Sequence, residues 1–182
     1  MSTPSGRKPA GSPGLKGWLY EKTRVNGCLK NKITGMDWIY RMAEKKRNPF
    51  KLRDFRGVDP ELIARLEASG LKNADQMLAA GCTRQQRATL VKETGIPEPV
   101  ILELVKLSDL ARLPGVKGIR ARLYYLAGVD SIRKMASWEP EALRQMVADY
   151  VQRTGFEGLP PLPKEVSSTI ANARNLPILI EE

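Results

Sequence analysis

Gly57, Val58, Gly70 and Met77 recur as Gly115, Val116, Gly128 and Met135, each 58 residues further on. The surrounding stretches, LRDFRGVDPELIARLEASGLKNADQML and LARLPGVKGIRARLYYLAGVDSIRKMA, carry apolar residues at helical spacing on either side of Gly-containing turns. TLVKETGI near Ile96 and DYVQRTGF near Phe156 extend the correspondence at an offset of 60. A unit repeated at this length stacks helices on helices, and such arrays more often present a recognition surface than a catalytic pocket.

Helix boundaries are written along the chain. Asp59-Pro60 predicts an N-cap followed by Pro at the first helical position, and Gly70 a left-handed stop. Asn73 predicts the cap of a short helix ending at Gly81, and Thr83 to Gln86 a capping box for a helix closing at Gly95. Residues 97–107 predict a helix whose apolar face is Val100, Ile101, Leu104 and Val105, after which Ser108 is expected to cap a further short helix. Asp130-Ser131, Glu139-Pro140 and Gly155 repeat the scheme, and Leu143, Met146, Val147, Tyr150 and Val151 line the last long helix. Pro160, Pro161 and Pro163 lead into a final helix with a Val166, Ile170 and Ala173 stripe. The apolar residues of NLPILI are expected to dock back or to meet a partner.

The expected fold is all-α, a tandem helical array with a basic, partly extended N-terminal arm. It divides into a Gly/Pro/Ser arm (1–17), a basic helical extension (18–56), two repeat units (57–109 and 110–175) and an apolar, acidic tail (176–182). Residues 1–56 hold 14 Lys/Arg and 4 Asp/Glu, whereas residues 57–182 hold 16 of each, so the whole net charge of +10 lies on the first third. That placement points to a polyanion such as nucleic acid, or to an arm lying on an acidic protein surface. Residues 33–47 predict an amphipathic helix in which Met36, Ile39, Tyr40 and Ala43 form the apolar stripe. Arg41, Glu44, Lys45, Lys46 and Arg47 fall elsewhere, and the favoured fate of the stripe is docking onto the body.

With no histidine, the chain lacks the usual imidazole base and the commonest zinc ligand. Cys28 and Cys82 form no CxxC pair, so no metal site, cofactor or redox motif is expected, and reduced thiols in a cytoplasmic setting are the expectation. Cys82 reads as a small buried residue. No apolar run is long enough to span a bilayer, and residues 1–19 lack the apolar centre of a secretory signal. Their Pro/Gly content also argues against the amphipathic helix of a transit peptide.

LPGVKGIRARL resembles a helix-hairpin-helix motif, and its extension through AGVDSIRKMA resembles a bacterial and archaeal domain family of unknown function. That family is built from tandem helix-hairpin-helix, sterile-alpha-motif-like units, and the resemblance covers about residues 52–174. It implies a non-enzymatic helical module of a kind often predicted to bind DNA, with no small-molecule substrate. In such a hairpin, backbone N–H groups at a helix N-terminus hold a phosphate oxygen without reading sequence. Gly115, Val116, Lys117 and Gly118 would form the cradle, and Lys117, Arg120, Arg122 and Arg112 would add charge. Ala121 matches the small position at the crossing of the helices.

Two departures stand out. Lys117 occupies the usual second glycine position, with Gly118 one residue late. The first hairpin reads Gly57-Val58-Asp59-Pro60-Glu61, where Pro60 removes a donor and two acids would repel phosphate. Asp109, Lys117 and Asp130 suggest a Lys/Asp lyase only in outline, because the chain lacks the surrounding domain that such chemistry needs, and Asp130 is better explained as a helix cap. Two readings therefore stand beside each other. One is non-specific binding of DNA or RNA backbone through the second hairpin and the arm; the other is an accessory subunit docked on a larger protein assembly with the arm threaded along its surface.

Overall fold

The computed structural model describes residues 49–181. The arm of 1–17, the amphipathic segment of 33–47 and Cys28 lie outside the described residues. The described chain is all-α: a 3-10 turn at Leu52–Asp54 precedes α1 (Pro60–Ala68), α2 (Ala74–Gly81), α3 (Arg84–Thr94), α4 (Glu98–Leu110), α5 (Gly118–Leu126), α6 (Ile132–Ser137), α7 (Pro140–Thr154) and α8 (Pro163–Asn175). Among the described residues, extended pairing is limited to one isolated antiparallel bridge between Lys51 and Asn73.

The repeat survives in the backbone. Six described glycines have positive φ, and they fall into three pairs: Gly57 with Gly115, Gly70 with Gly128 and Gly95 with Gly155. The end of α1 is closed by Leu71 N–H donating to the Leu66 carbonyl at 2.9 Å, and the end of α5 by Val129 N–H donating to the Tyr124 carbonyl at 2.9 Å. Both closures are 6→1 bonds around a left-handed glycine, where any Cβ would be strained. Asn73 then caps α2 by accepting from Gln76 N–H, and Ser131 caps α6 by accepting from Lys134 N–H. Helices α2, α3 and α4 pack together, as do α6, α7 and α8, while α5 lies against α4. One continuous core results, with Leu66, Met77, Ile101, Leu104, Leu107, Leu110, Tyr124, Met135, Leu143 and Val147 removed from water.

Three local expectations change. Ser108 does not start a new helix; it lies inside α4, and its hydroxyl donates to the Leu104 carbonyl at 2.7 Å, so the helix runs on to Leu110. The cap of α6 is Ser131 rather than Asp130, whose carboxylate instead receives Lys106 at 2.6 Å and Lys134 at 2.7 Å. Cys82, 1% exposed as its apolar role requires, is disulfide-bonded rather than a free thiol.

The tail docks back on the junction of α2 and α3. Glu181 N–H donates to the Cys82 carbonyl at 2.8 Å, and the buried Arg87 donates to the Glu181 carbonyl at 2.9 Å and to the Gly81 carbonyl at 3.1 Å. Ile180 is buried beneath this strap, whereas Ile178 stays exposed. No helix among the described residues is long and apolar enough to cross a membrane.

Candidate nucleic-acid interface

The chain between α4 and α5 tightens before it turns. Arg112 N–H donates to the Asp109 carbonyl, Leu113 N–H to the Leu110 carbonyl and Val116 N–H to the Leu113 carbonyl, which winds the link to within two residues of α5. Gly115 and Lys117 are exposed on the outside of this turn, while Val116 is buried as its anchor. Lys117 is the N-cap residue of α5 and has extended backbone; its carbonyl accepts from Ala121 N–H at 2.7 Å. Its ammonium side chain cannot cap the helix, and the first turn of α5 contains no acidic residue. The partial positive end of the helix thus lies beside an exposed cation, Lys117, and an exposed glycine, Gly115.

The corresponding position before α1 has the opposite chemistry. Asp59 Oδ1 accepts from Glu61 N–H at 2.9 Å, Pro60 contributes no donor, and Glu61 adds a second acid in the first turn. The start of α1 thus already holds an anion belonging to the chain itself. The α5 start holds none.

The hairpin arginines serve the fold more than the surface. Arg112 pairs with Asp109 at 2.6 Å and donates to the Pro177 carbonyl at 3.1 Å. Burial pushes the Asp109 carboxyl above its ordinary range, against the pull of Arg112. Arg120 lies 3.4 Å from Glu165 at the start of α8, and burial pushes the phenol of the buried Tyr124 above its usual range. Arg122, 8% exposed, donates from Nε to the Arg56 carbonyl at 2.7 Å and pairs with Glu103. Of the cations expected at this site, Lys117 alone is exposed and makes no ion pair among the described residues.

Sequence reasoning missed what lies against the start of α5. Gly118 is buried because the 3-10 segment covers it: a Cβ there would stand 2.3 Å from the Asp54 carbonyl oxygen and 3.0 Å from the Phe50 ring. Phe50 is itself braced edge-on against Phe55, with ring centroids 4.9 Å apart. Lys51, Arg53 and Arg56, the last cations of the basic third, are exposed on and beside this segment, Arg53 lying 3.7 Å from Glu67. The displaced glycine at 118 carried the signal, since a glycine opening a helix marks a close backbone approach. A second feature absent from the expectations is a cavity of about 350 Å³ lined by Gly115, Val116, Arg120, Tyr124 and the α8 residues Lys164 and Thr169.

Residues 56–176 match the family described as Domain of unknown function (DUF4332), and the chain belongs to that family. No curated protein matches the chain, and no solved structure matches it.

Proposed function

We propose that this member of the DUF4332 family is a non-enzymatic nucleic-acid-binding protein. It holds phosphate backbone without reading sequence, and its helix-hairpin-helix element is the α4–α5 pair. The reading is carried by the seating of residues 50–56 on Gly118, which brings the end of the cationic third to the helix start that has no anion of its own. The phosphate would lie against the exposed residues Gly115 and Lys117, with Lys51 and Arg56 supplying further charge from the adjoining segment. Arg112, Arg120 and Arg122 would hold the turn in shape. Backbone donors and point charges at a helix N-terminus recognise phosphate in DNA and RNA alike.

Asp59 supplies the design of the test, because it shows what an acid does at this position. Lys117→Asp should cap α5 and stabilise it by about 0.5–1 kcal/mol while lowering duplex affinity. A variant that is more stable and binds as well as the parent would remove the proposed site.

The accessory-subunit reading is favoured by one observation, the internal pairing of Arg112, Arg120 and Arg122, which takes three of the four cations of the second hairpin away from a phosphate. Under that reading the parent chain fails to bind duplex or RNA at low salt and recovers one stoichiometric protein partner.

A further inference from the structure

Five large apolar residues are exposed among the described ones: Ile119, Leu126, Leu159, Leu162 and Ile178. Three of them gather near the start of α5. Ile119 follows Gly118 directly, and a Cβ at Gly158 would stand 3.7 Å from Ile119 Cγ1, which puts the loop carrying Leu159 against it. Leu162 lines the same cavity as Gly115 and Val116. Leu159 is 85% exposed and Leu162 65% exposed, an unusual placement for two leucines in one short loop.

We infer that this patch is the seat of the apolar stripe of residues 33–47 of the same chain. The described chain begins at the patch, because Phe50 packs on Gly118, the neighbour of Ile119. Arg47 is only three residues before Phe50, a reach of about 10 Å. The sequence of 33–47 predicts a helix of about 22 Å with Met36, Ile39, Tyr40 and Ala43 on one face. The inference stands on packing and connectivity and does not rest on the nucleic-acid reading.

The test uses the full chain with methyl labelling. Nuclear Overhauser contacts from the Met36 and Ile39 methyls to the Ile119, Leu159 and Leu162 methyls are expected. In the double variant Leu159→Ser/Leu162→Ser, amide-exchange protection over 36–43 should fall at least tenfold while that of α1 to α8 is retained. Both leucines are exposed, so the body tolerates the change, and an unaltered melting temperature verifies that. Absence of these contacts, protection of 36–43 that ignores the double substitution, or contacts that prove intermolecular in a mixed-label sample would each overturn the inference.

Discussion

Arg122 Nε donates to the Arg56 carbonyl at 2.7 Å, so a side chain of α5 grips the backbone just before the Gly57 turn. The same guanidinium pairs with Glu103 of α4 and lies over Gly57, where a Cβ would come within 3.5 Å of Nε. One buried cation thereby ties the Gly57 turn to both α4 and α5. Replacing Arg122 by Met keeps most of the volume but leaves the Arg56 carbonyl and the Glu103 carboxylate without their donor. A loss of about 1–3 kcal/mol is expected, read as a lower urea midpoint with an unchanged slope. The exposed Arg144–Glu141 pair provides the control, and Arg144→Met should leave the midpoint nearly unmoved.

Gly118→Ala forces a Cβ into the Asp54 carbonyl oxygen, a backbone atom that cannot swing aside as a side-chain tip would. The 3-10 segment must lift from α5, at a cost of about 1–3 kcal/mol. Amide exchange should show the change confined to residues 50–56 and the first turn of α5, the region that joins the basic third to the turn. Unchanged protection there, with the loss spread evenly over α1 to α8, would contradict this packing.

Much of the helix layout was legible because caps and stops are local chemistry. Asn73, the Thr83–Gln86 box, Gly95 and Gly155 each act within one turn of where they stand, and each is found in that role. Ser108 was misread because a serine bonded to the carbonyl four residues back looks in sequence like a cap. The partners of Arg112, Arg120 and Arg122 were not legible at all. Asp109 is close in sequence, but Pro177, Glu165, Glu103 and Arg56 are brought in only by the tertiary fold. A basic residue in a turn motif reads as surface charge until the acid across from it is known.

Acid should weaken the protein partly through Asp130. Its burial raises the carboxyl, but hydrogen bonds and charge from Lys106 and Lys134 outweigh that and hold it below the ordinary value of 3.8. A carboxylate lowered on folding contributes stability that is present above its unfolded value and is lost as pH falls through its folded one. Asp109 runs the other way: burial raises it, so protonation favours the folded state between 3.8 and its raised value. Asp130→Asn should therefore lower stability at neutral pH and flatten its fall below about pH 4, as followed by urea midpoints from pH 2 to 7. A variant with the parent's acid limb would rule out Asp130 as a contributor.

The C-terminal strap depends on Arg87, which is 2% exposed and donates to carbonyls on both sides of the contact. Arg87→Met should release residues 176–181, raising their amide exchange and exposing Ile180. A loss of about 1–3 kcal/mol is expected. Truncation after Asn175 in the parent should reproduce most of that loss, and adding it to Arg87→Met should cost little more, since both remove one contact.

The salt dependence of duplex affinity for the full chain bears most directly on phosphate binding at the Gly115 turn. Fluorescence anisotropy with an arbitrary-sequence duplex, stepped from about 50 to 200 mM salt, should show affinity falling by a power law in salt concentration. A second duplex of unrelated sequence should give the same line, and Lys117→Glu should make the slope shallower by about one contact. Binding that is absent at the lowest salt for DNA and RNA alike, or that ignores both salt and Lys117, would contradict phosphate recognition.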